Sequence, residues 1–368
     1  MKTNVCPRCG NTEERYFYTG FKGRYCRLCA RWQRVLLDEE ETNDLPPGLP
    51  LDGDYQLGFH LSEGQKEASK ALLGKIQESD TLLYAACGAG KTEIALESVA
   101  FFLKQGLRVC WAIPRRQVVL QLCARLGEYF KHLKVIGVCG GHTSDLTGDL
   151  IVCTTHQLWR WHKAFDLLVL DEPDAFPYHG NTLLQGILKS SCRGKILYLS
   201  ATPDEDLLKL PQVRLFKRPW GVPLCVPRVL IKGRVMLFMQ LVAWICRHPR
   251  TLVFVPSVRL ARRLGLLLGL PIIHAGSKDK EQLIQAFLNR QINQLITTTV
   301  LERGVTFEEL DVLVYQADHP VFSAASLVQI LGRVGRSPRF PDGKGMLLCR
   351  GKSEEVKTCL AILEEMNA

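Results

Sequence analysis

Between Thr81 and Leu199, and again between Thr251 and Leu348, short apolar runs alternate with longer amphipathic stretches, and this alternation restricts the fold more than any other feature of the chain. A strand covered by helices on both faces reads as a continuous apolar run of about five residues, and the helix that follows carries the chain back so that successive strands pair in parallel. The runs Thr81–Ala86, Arg108–Ala112, Lys134–Val138, Leu150–Cys153, Phe165–Leu170 and Lys195–Leu199 predict one parallel sheet. The runs Thr251–Val255, Ile272–His274, Gln294–Thr298, Asp311–Gln316 and Gly345–Leu348 predict a second. Between them the proline-rich stretch from Arg218 to Pro227 reads as a hinge. The fold class is therefore α/β, with two sheets.

The 368 residues suffice for two or three domains, and 46% hydrophobic with 23% charged residues is the composition of a globular chain. The longest apolar stretches, Val235–Cys246 and Leu264–Ile273, fall short of the ~18 residues that span a bilayer, so no transmembrane helix is expected. The first ten residues lack the apolar core of a secretory signal, which points to a cytoplasmic protein with reduced thiols. Fourteen cysteines in such a compartment serve metal ligation or core packing and not a disulfide framework.

Four of those cysteines are paired. Cys6-Pro7-Arg8-Cys9 and Cys26-Arg27-Leu28-Cys29 form two CxxC knuckles with sixteen residues between them, the spacing of a tetrahedral zinc site. Each tight knuckle brings two sulfurs to one metal, and zinc replaces a core too small to form alone. The ten unpaired cysteines are expected in the core. Up to Leu37 there are eight Lys or Arg against two acids, so six of the ten net positive charges of the chain lie in this module. Tyr16, Phe17, Tyr18, Phe21, Tyr25 and Trp32 are interleaved with them, in the manner of single-strand binders that combine stacking with phosphate attraction, although some of these rings must form the module's own core. Seven acids from Asp38 to Asp54, around Pro46-Pro47-Gly48-Leu49-Pro50, then read as a semi-rigid linker. The expected organisation is a zinc module at 1–37, a linker at 38–54, a first α/β domain at 55–217, a hinge at 218–229 and a second α/β domain at 230–368.

The string from Leu82 to Thr92 runs from an apolar strand through Gly88-Ala89-Gly90 into a helix, the context of a phosphate-binding loop. Gly88, Ala89 and Gly90 would offer backbone N–H groups to the phosphates of ATP, Lys91 would reach the β and γ oxygens, and Thr92 would hold magnesium. The run Phe165–Leu170 delivers Asp171 and Glu172 to its end; Asp171 suits magnesium and Glu172 suits a water that attacks the γ-phosphate, so hydrolysis is expected. Arg333 and Arg336, three apart in Gln329–Arg336, share one helical face and have the character of arginine fingers.

Taken together these motifs resemble a superfamily 2 helicase or translocase with tandem RecA-like domains. Ala85–Thr92 is similar to motif I, Asp171–Asp174 to motif II, Ser200-Ala201-Thr202 to motif III, Thr297–Thr306 to motif V and Gln329–Arg336 to motif VI, while Gln65 is placed like a residue that reads adenine. By the same resemblance Arg116, Thr154 and Thr298 would contact DNA phosphates. The whole chain resembles the late-competence ComFA family, on the four-cysteine module, the run Asp171–Tyr178 and the run Thr299–Phe307. That resemblance implies an ATP-driven motor on single-stranded DNA that helps draw it through the cytoplasmic membrane in natural transformation. It also implies as partners the companion ComF operon protein with a phosphoribosyltransferase-like fold and the membrane DNA channel, which would hold the motor at the membrane's inner face. Cys87 and Pro173 depart from the common motif residues without touching an essential ligand. Two other readings of the residues stand beside it: a superfamily 2 helicase of replication restart or repair, and a zinc-dependent DNA adaptor whose nucleotide site is only a switch.

Overall fold

The computed structural model describes residues 5–30, 32, 34–37, 45–302, 307–337 and 339–368. Lys2, Arg31, the linker residues 38–44 and residues 303–306 of Thr297–Thr306 lie outside the described residues. The chain forms two compact units, Met1–Ala85 with Lys91–Arg214 and Ala86–Gly90 with Leu215–Ala368.

The first unit opens with an antiparallel hairpin, β1 (Phe17–Gly20) and β2 (Gly23–Cys26). There follow α1 (Glu63–Glu78), β3 (Thr81–Ala85), α2 (Lys91–Lys104), β4 (Val109–Ile113), α3 (Arg116–Tyr129), β5 (Val135–Val138) and β6 (Leu150–Thr154). After a 3-10 turn at Thr155–Arg160 come β7 (Phe165–Asp171), α4 (Thr182–Ser191), β8 (Cys192–Ser200), the single turn α5 (Glu205–Leu208) and β9 (Gln212–Leu215). The large sheet has the order β5-β6-β4-β7-β8-β3-β9. All five residues of β3, β4 and β6 are buried, which is why their apolar runs are unbroken. Ser62 and Gln65 start α1 with reciprocal side chain to backbone bonds, Ser62 N–H to Gln65 Oε1 at 3.0 Å and Gln65 N–H to Ser62 Oγ at 3.3 Å.

The second unit contains β10 (Arg228–Ile231), α6 (Arg234–Arg247), β11 (Thr251–Phe254), α7 (Val258–Leu268), β12 (Ile272–Ile273), α8 (Lys280–Leu288) and β13 (Gln294–Thr297). It closes with β14 (Asp311–Tyr315), α9 (Ala324–Leu331), β15 (Gly345–Cys349) and α10 (Glu354–Asn367). Its sheet is parallel with the order β10-β15-β14-β11-β13-β12. On one face Leu237, Leu241 and Trp244 of α6 pack on Val253, Ile296, Leu313 and Leu348.

Every strand read from the sequence is present, and the structure adds β1, β2, β9 and β10. Arg228 and Val229, read as the tail of the hinge, open β10; an edge strand with two exposed ends of four leaves no apolar run to see. Strand β8 begins three residues before Lys195, where Gly194 admits the Asp166 carbonyl oxygen to 2.0 Å from the position a Cβ would take. Of the ten cysteines outside the knuckles only Cys246 is exposed. Among the described residues no helix is long and apolar enough to cross a membrane.

Candidate functional site

Of the expected residues, Lys91, Thr92, Asp171 and Glu172 meet at the carboxyl ends of the strands of the first sheet, where open α/β sheets place their ligands. Strand β3 ends at Ala85, and Gly88 and Gly90 in the loop that follows both take φ of +84°, a conformation that costs glycine little and other residues much. Lys91 and Thr92 begin α2, and Lys91 Nζ lies 3.1 Å from the carbonyl oxygen of Ala85. Asp171 ends β7, and its carboxyl is pushed up to about 7 by burial and by the charge of Glu172, against the opposing pull of Lys91 and Arg125. A buried acidic pair in the field of Lys91 and of the Arg125 that binds Thr92 fits a divalent cation, which Thr92 and Asp171 would hold.

Glu172 has φ of +59°, which costs a side-chain-bearing residue on the order of 1–3 kcal/mol. The turn is held on both sides: Glu172 N–H donates to Leu199 O at 3.0 Å and Glu172 O accepts from Ala175 N–H at 3.0 Å. Two residues on, Asp174 receives the hydroxyls of Ser200 at 3.0 Å and Thr202 at 2.9 Å, tying the acidic turn to the end of β8. Ser200 and Thr202 thus have a specific task that the sequence alone leaves open. Gln65 is buried, and its bond to Ser62 N–H fixes the orientation of the amide.

Arg125 is a member of this site that the sequence reading missed. It lies on α3, where Nη2 donates to Thr92 Oγ1 at 2.7 Å and Nη1 stands 3.7 Å from Glu93. One turn further, Tyr129 donates its hydroxyl to Glu93 at 3.1 Å, and burial with the Glu93 charge pushes the phenol up to about 12. The available signal was the four-residue spacing of Arg125 and Tyr129, which puts both on one helix face. The same helix begins with Arg116, whose guanidinium is 3.6 Å from where a Cβ on Gly141 would stand. Thr154 ends β6, in register with Ile113 at the end of β4, so Arg116 and Thr154 share the neighbouring stretch of the same sheet edge.

In the second unit Thr298 follows the end of β13, and its N–H donates to Ile273 O at 3.3 Å. The helical face expected for Arg333 and Arg336 is not formed, because α9 ends at Leu331 and both follow in a turn where Gly335 takes φ of +64°: Arg333 is fully enclosed with its guanidinium 5.8 Å from the centre of the Phe307 ring, while the half-buried Arg336 donates Nε to Gly332 O at 2.9 Å. Arg218, in the stretch read as a hinge, is also enclosed there. Its guanidinium donates to the carbonyl oxygens of Cys87, Gly332, Val334 and Gly335 at 2.8–3.0 Å.

At the front of the chain Cys6, Cys9, Cys26 and Cys29 are buried with their sulfurs within 4.8 Å of one another. Cys6 to Cys29 and Cys9 to Cys26 are each 3.8 Å. A tetrahedron with metal–sulfur bonds of about 2.3 Å has edges of about 3.8 Å, so the four residues fit zinc. Hydrogen bonds from Cys29, Cys6 and Cys9 hold the Cys26 thiol well below its ordinary value, as in a cluster that shares one site. Around it Arg24 lies over Phe17 at 5.1 Å, Arg27 over Tyr18 at 5.7 Å and Arg34 over Tyr25 at 5.1 Å, and Phe21 projects fully from the hairpin tip. The first knuckle is seated on α4: a Cβ on Gly186 would stand 1.8 Å from Cys9 O, Ser190 Oγ donates to Arg8 O, and the buried Arg8 lies 5.5 Å above Trp159.

Comparison with known proteins agrees with this geometry. The DEAD/DEAH box helicase family matches residues 62–210, and the helicase conserved C-terminal domain matches residues 233–338. The competence protein ComFA of Bacillus subtilis is 35% identical, over 98% of this chain and 85% of its own length. The ComFA of Streptococcus pneumoniae is 32% identical, over 98% of this chain and 90% of its own. Among solved structures, Saccharomyces cerevisiae Dbp5 bound to RNA and ADP BeF3 superposes with a TM-score of 0.62 at 18% identity, over 84% of this chain and 88% of that one, a likeness of fold. The two parallel sheets are RecA-like domains of the helicase kind.

Proposed function

The chain belongs to the ComFA family of competence proteins, and from that membership we propose that it is the motor that draws single-stranded transforming DNA across the cytoplasmic membrane. As an ATP-hydrolysing helicase or translocase it acts on DNA in competence; the strand it grips and the step it powers are our reading. The observation that carries it is α3. One helix starts with Arg116, a phosphate-contact residue by its motif, and nine residues later hydrogen-bonds Thr92, about 14 Å along the axis. A strand backbone and a nucleotide would thus be linked through one rigid element.

In this reading Lys91 and the loop N–H groups of Gly88, Ala89 and Gly90 bind the phosphates, and Gln65 reads the adenine. Glu172, held in its strained turn, orients the attacking water and takes its proton, while the Asp174 brace to Ser200 and Thr202 keeps that turn in place. Thr92 and Asp171 would hold magnesium, which neutralises phosphate charge when bound. Arg333 and Arg336 are assigned to the charge that develops on the γ-phosphate. Arg116, Thr154 and Thr298 bind the strand through phosphate, so affinity is insensitive to sequence and falls steeply with salt. Cys6, Cys9, Cys26 and Cys29 would hold zinc, which would make the module a rigid appendage of the ATP-binding domain. The domain limits given from the sequence, and the companion ComF protein and DNA channel as partners at the membrane, belong to the same proposal.

The test is ATP hydrolysis by the full chain with no DNA, with single strands and with duplex, using Lys91→Ala as the blank. Strong stimulation by single strands supports the motor. ATP binding without turnover under any condition would instead favour a nucleotide-switched adaptor.

A further inference from the structure

The two sheets share one plan. Numbered within its own sheet, each has its strands in the order first, sixth, fifth, second, fourth, third, with β9 added at the edge of the first sheet. Each landmark of the ATP site therefore has a counterpart in the second unit. Where Gly90, Lys91 and Thr92 open the helix after the first strand, Gly233, Arg234 and Val235 stand in the second unit. Where Asp171 ends the fifth strand, Tyr315 stands, and Glu172 at φ +59° is matched by Gln316 at φ +57°. Asp174, which braces the end of the sixth strand, is matched by Asp318, whose two oxygens accept from the N–H groups of Arg350 and Gly351 at 3.0 and 3.1 Å after β15.

A cavity of about 530 Å³ occupies this place in the second unit. Arg234, Arg259, Arg263 and Arg350 line it together with Ser257 and Gln316, and among the described residues no Asp or Glu lines it. Among the described residues none of the four guanidinium groups is paired with a carboxylate. Four arginines around one concavity cost free energy by mutual repulsion and are met by a dense anion.

We propose that this cavity is a second phosphate site, which takes the oligophosphate of a free nucleotide without a metal and without hydrolysing it. The substitutions are consistent in direction. Val235 and Tyr315 replace the hydroxyl and carboxylate that would hold magnesium, and the added guanidinium groups supply the positive charge in its stead. Gln316 keeps the backbone geometry of Glu172 but cannot accept a proton from water. Arginine, planar and always charged, binds phosphate oxygens in pairs where lysine would make one contact. None of its lining residues is one assigned above to ATP or to DNA, and nothing in it depends on the motor reading.

The test uses the full chain carrying Lys91→Ala to weaken the first site, in EDTA, with inorganic tripolyphosphate and metal-free ATP titrated by calorimetry. The expected result is saturable binding of both that weakens about tenfold for each of Arg234→Gln and Arg350→Gln, with unchanged melting temperature. Tripolyphosphate is returned intact. Absence of binding, or binding that the two glutamine variants leave unchanged, overturns the proposal. So does displacement of the probe by a single-stranded oligonucleotide whose own affinity falls in the same variants, since the cavity would then be a contact to the DNA backbone.

Discussion

Alanine at Gly186 should unseat the zinc knuckle, whereas alanine at Gly74 should stabilise the same unit. Both glycines sit inside helices, α4 and α1, so each gains about 1 kcal/mol in helix propensity on becoming alanine. Around Gly74 nothing lies within 4 Å of the new Cβ. At Gly186 the new Cβ would stand 1.8 Å from Cys9 O, 2.5 Å from its carbonyl carbon and 3.1 Å from its Cα, all of them backbone. Ordinary contact begins at 3.4 Å, so helix and knuckle must part by about 1.6 Å. Neither side yields easily, since zinc would clamp the knuckle and α4 is packed on the sheet side by Leu184, Ile187 and Leu188. Overpacking of this kind costs about 1–3 kcal/mol. Separation also breaks the Ser190 bond to Arg8 O, about 1 kcal/mol, and the stacking of Arg8 on Trp159, about 0.5–1 kcal/mol. The net loss for Gly186→Ala is about 2–3 kcal/mol, and the two variants should differ by about 3–4 kcal/mol. For a unit of about 200 residues that separates their melting midpoints by about 10 °C. The assay is calorimetric melting of the zinc-loaded chain, with trypsin cleavage after Arg8 as a local readout. Equal stabilisation of both variants would mean that the knuckle does not rest on α4.

Cys6→Ser is expected to remove the bound metal and expose the module to protease while the RecA-like domains still melt cooperatively; one zinc per chain by metal analysis in that variant would refute the four-cysteine assignment. Arg336→Ala should lower kcat for ATP by about tenfold or more with little change in KM, because such a group acts on charge that appears in the transition state, and equal loss of both would indicate a ground-state contact. Asp166 gives a pH signature. Burial pushes its carboxyl up, but the bidentate bonds from Arg193 at 2.8 and 2.9 Å and the Arg108 N–H at 2.9 Å outweigh burial and hold it below its ordinary value. A carboxyl lowered in the folded state stabilises above its unfolded value, near 3.9, and that stabilisation is lost as pH falls through the folded value. Asp166→Asn should therefore cost about 1–2 kcal/mol in urea melts from pH 7 down to about pH 5, after discounting the half-exposed Arg193, and progressively less as the pH falls below about 4. A cost that does not vary with pH would place the defect in packing.

The interior of both sheets was legible in the sequence because β3, β4, β6 and β11 are buried along their whole length, so period and burial agree. The edges were not: β10 is four residues with exposed ends, and the β1–β2 hairpin is framed by cysteines and arginines that speak of metal and charge before they speak of strands. In the site, Gly88–Thr92 and Asp171–Glu172 were legible because strand, turn and helix follow one another in the chain. Arg125 was not, since its partner Thr92 lies 33 residues away and only the packing of α3 on α2 joins them. Tyr315-Gln316-Ala317-Asp318 shares only its final aspartate with Asp171-Glu172-Pro173-Asp174, too little to see in the sequence; their equivalence lies in strand order, one shared backbone angle and the brace that each aspartate makes.

If α3 links strand to nucleotide, thermodynamic linkage sets a condition on the energetics. Whatever factor bound single strands apply to nucleotide affinity, bound nucleotide must apply to the affinity for single strands, because both paths close one cycle. A helix with Arg116 at one end and Arg125 at the other serves as transmitter and receiver at once. A substitution that cuts it, Arg125→Ala, must lower the two cross-effects by an equal amount, whatever it does to either affinity alone.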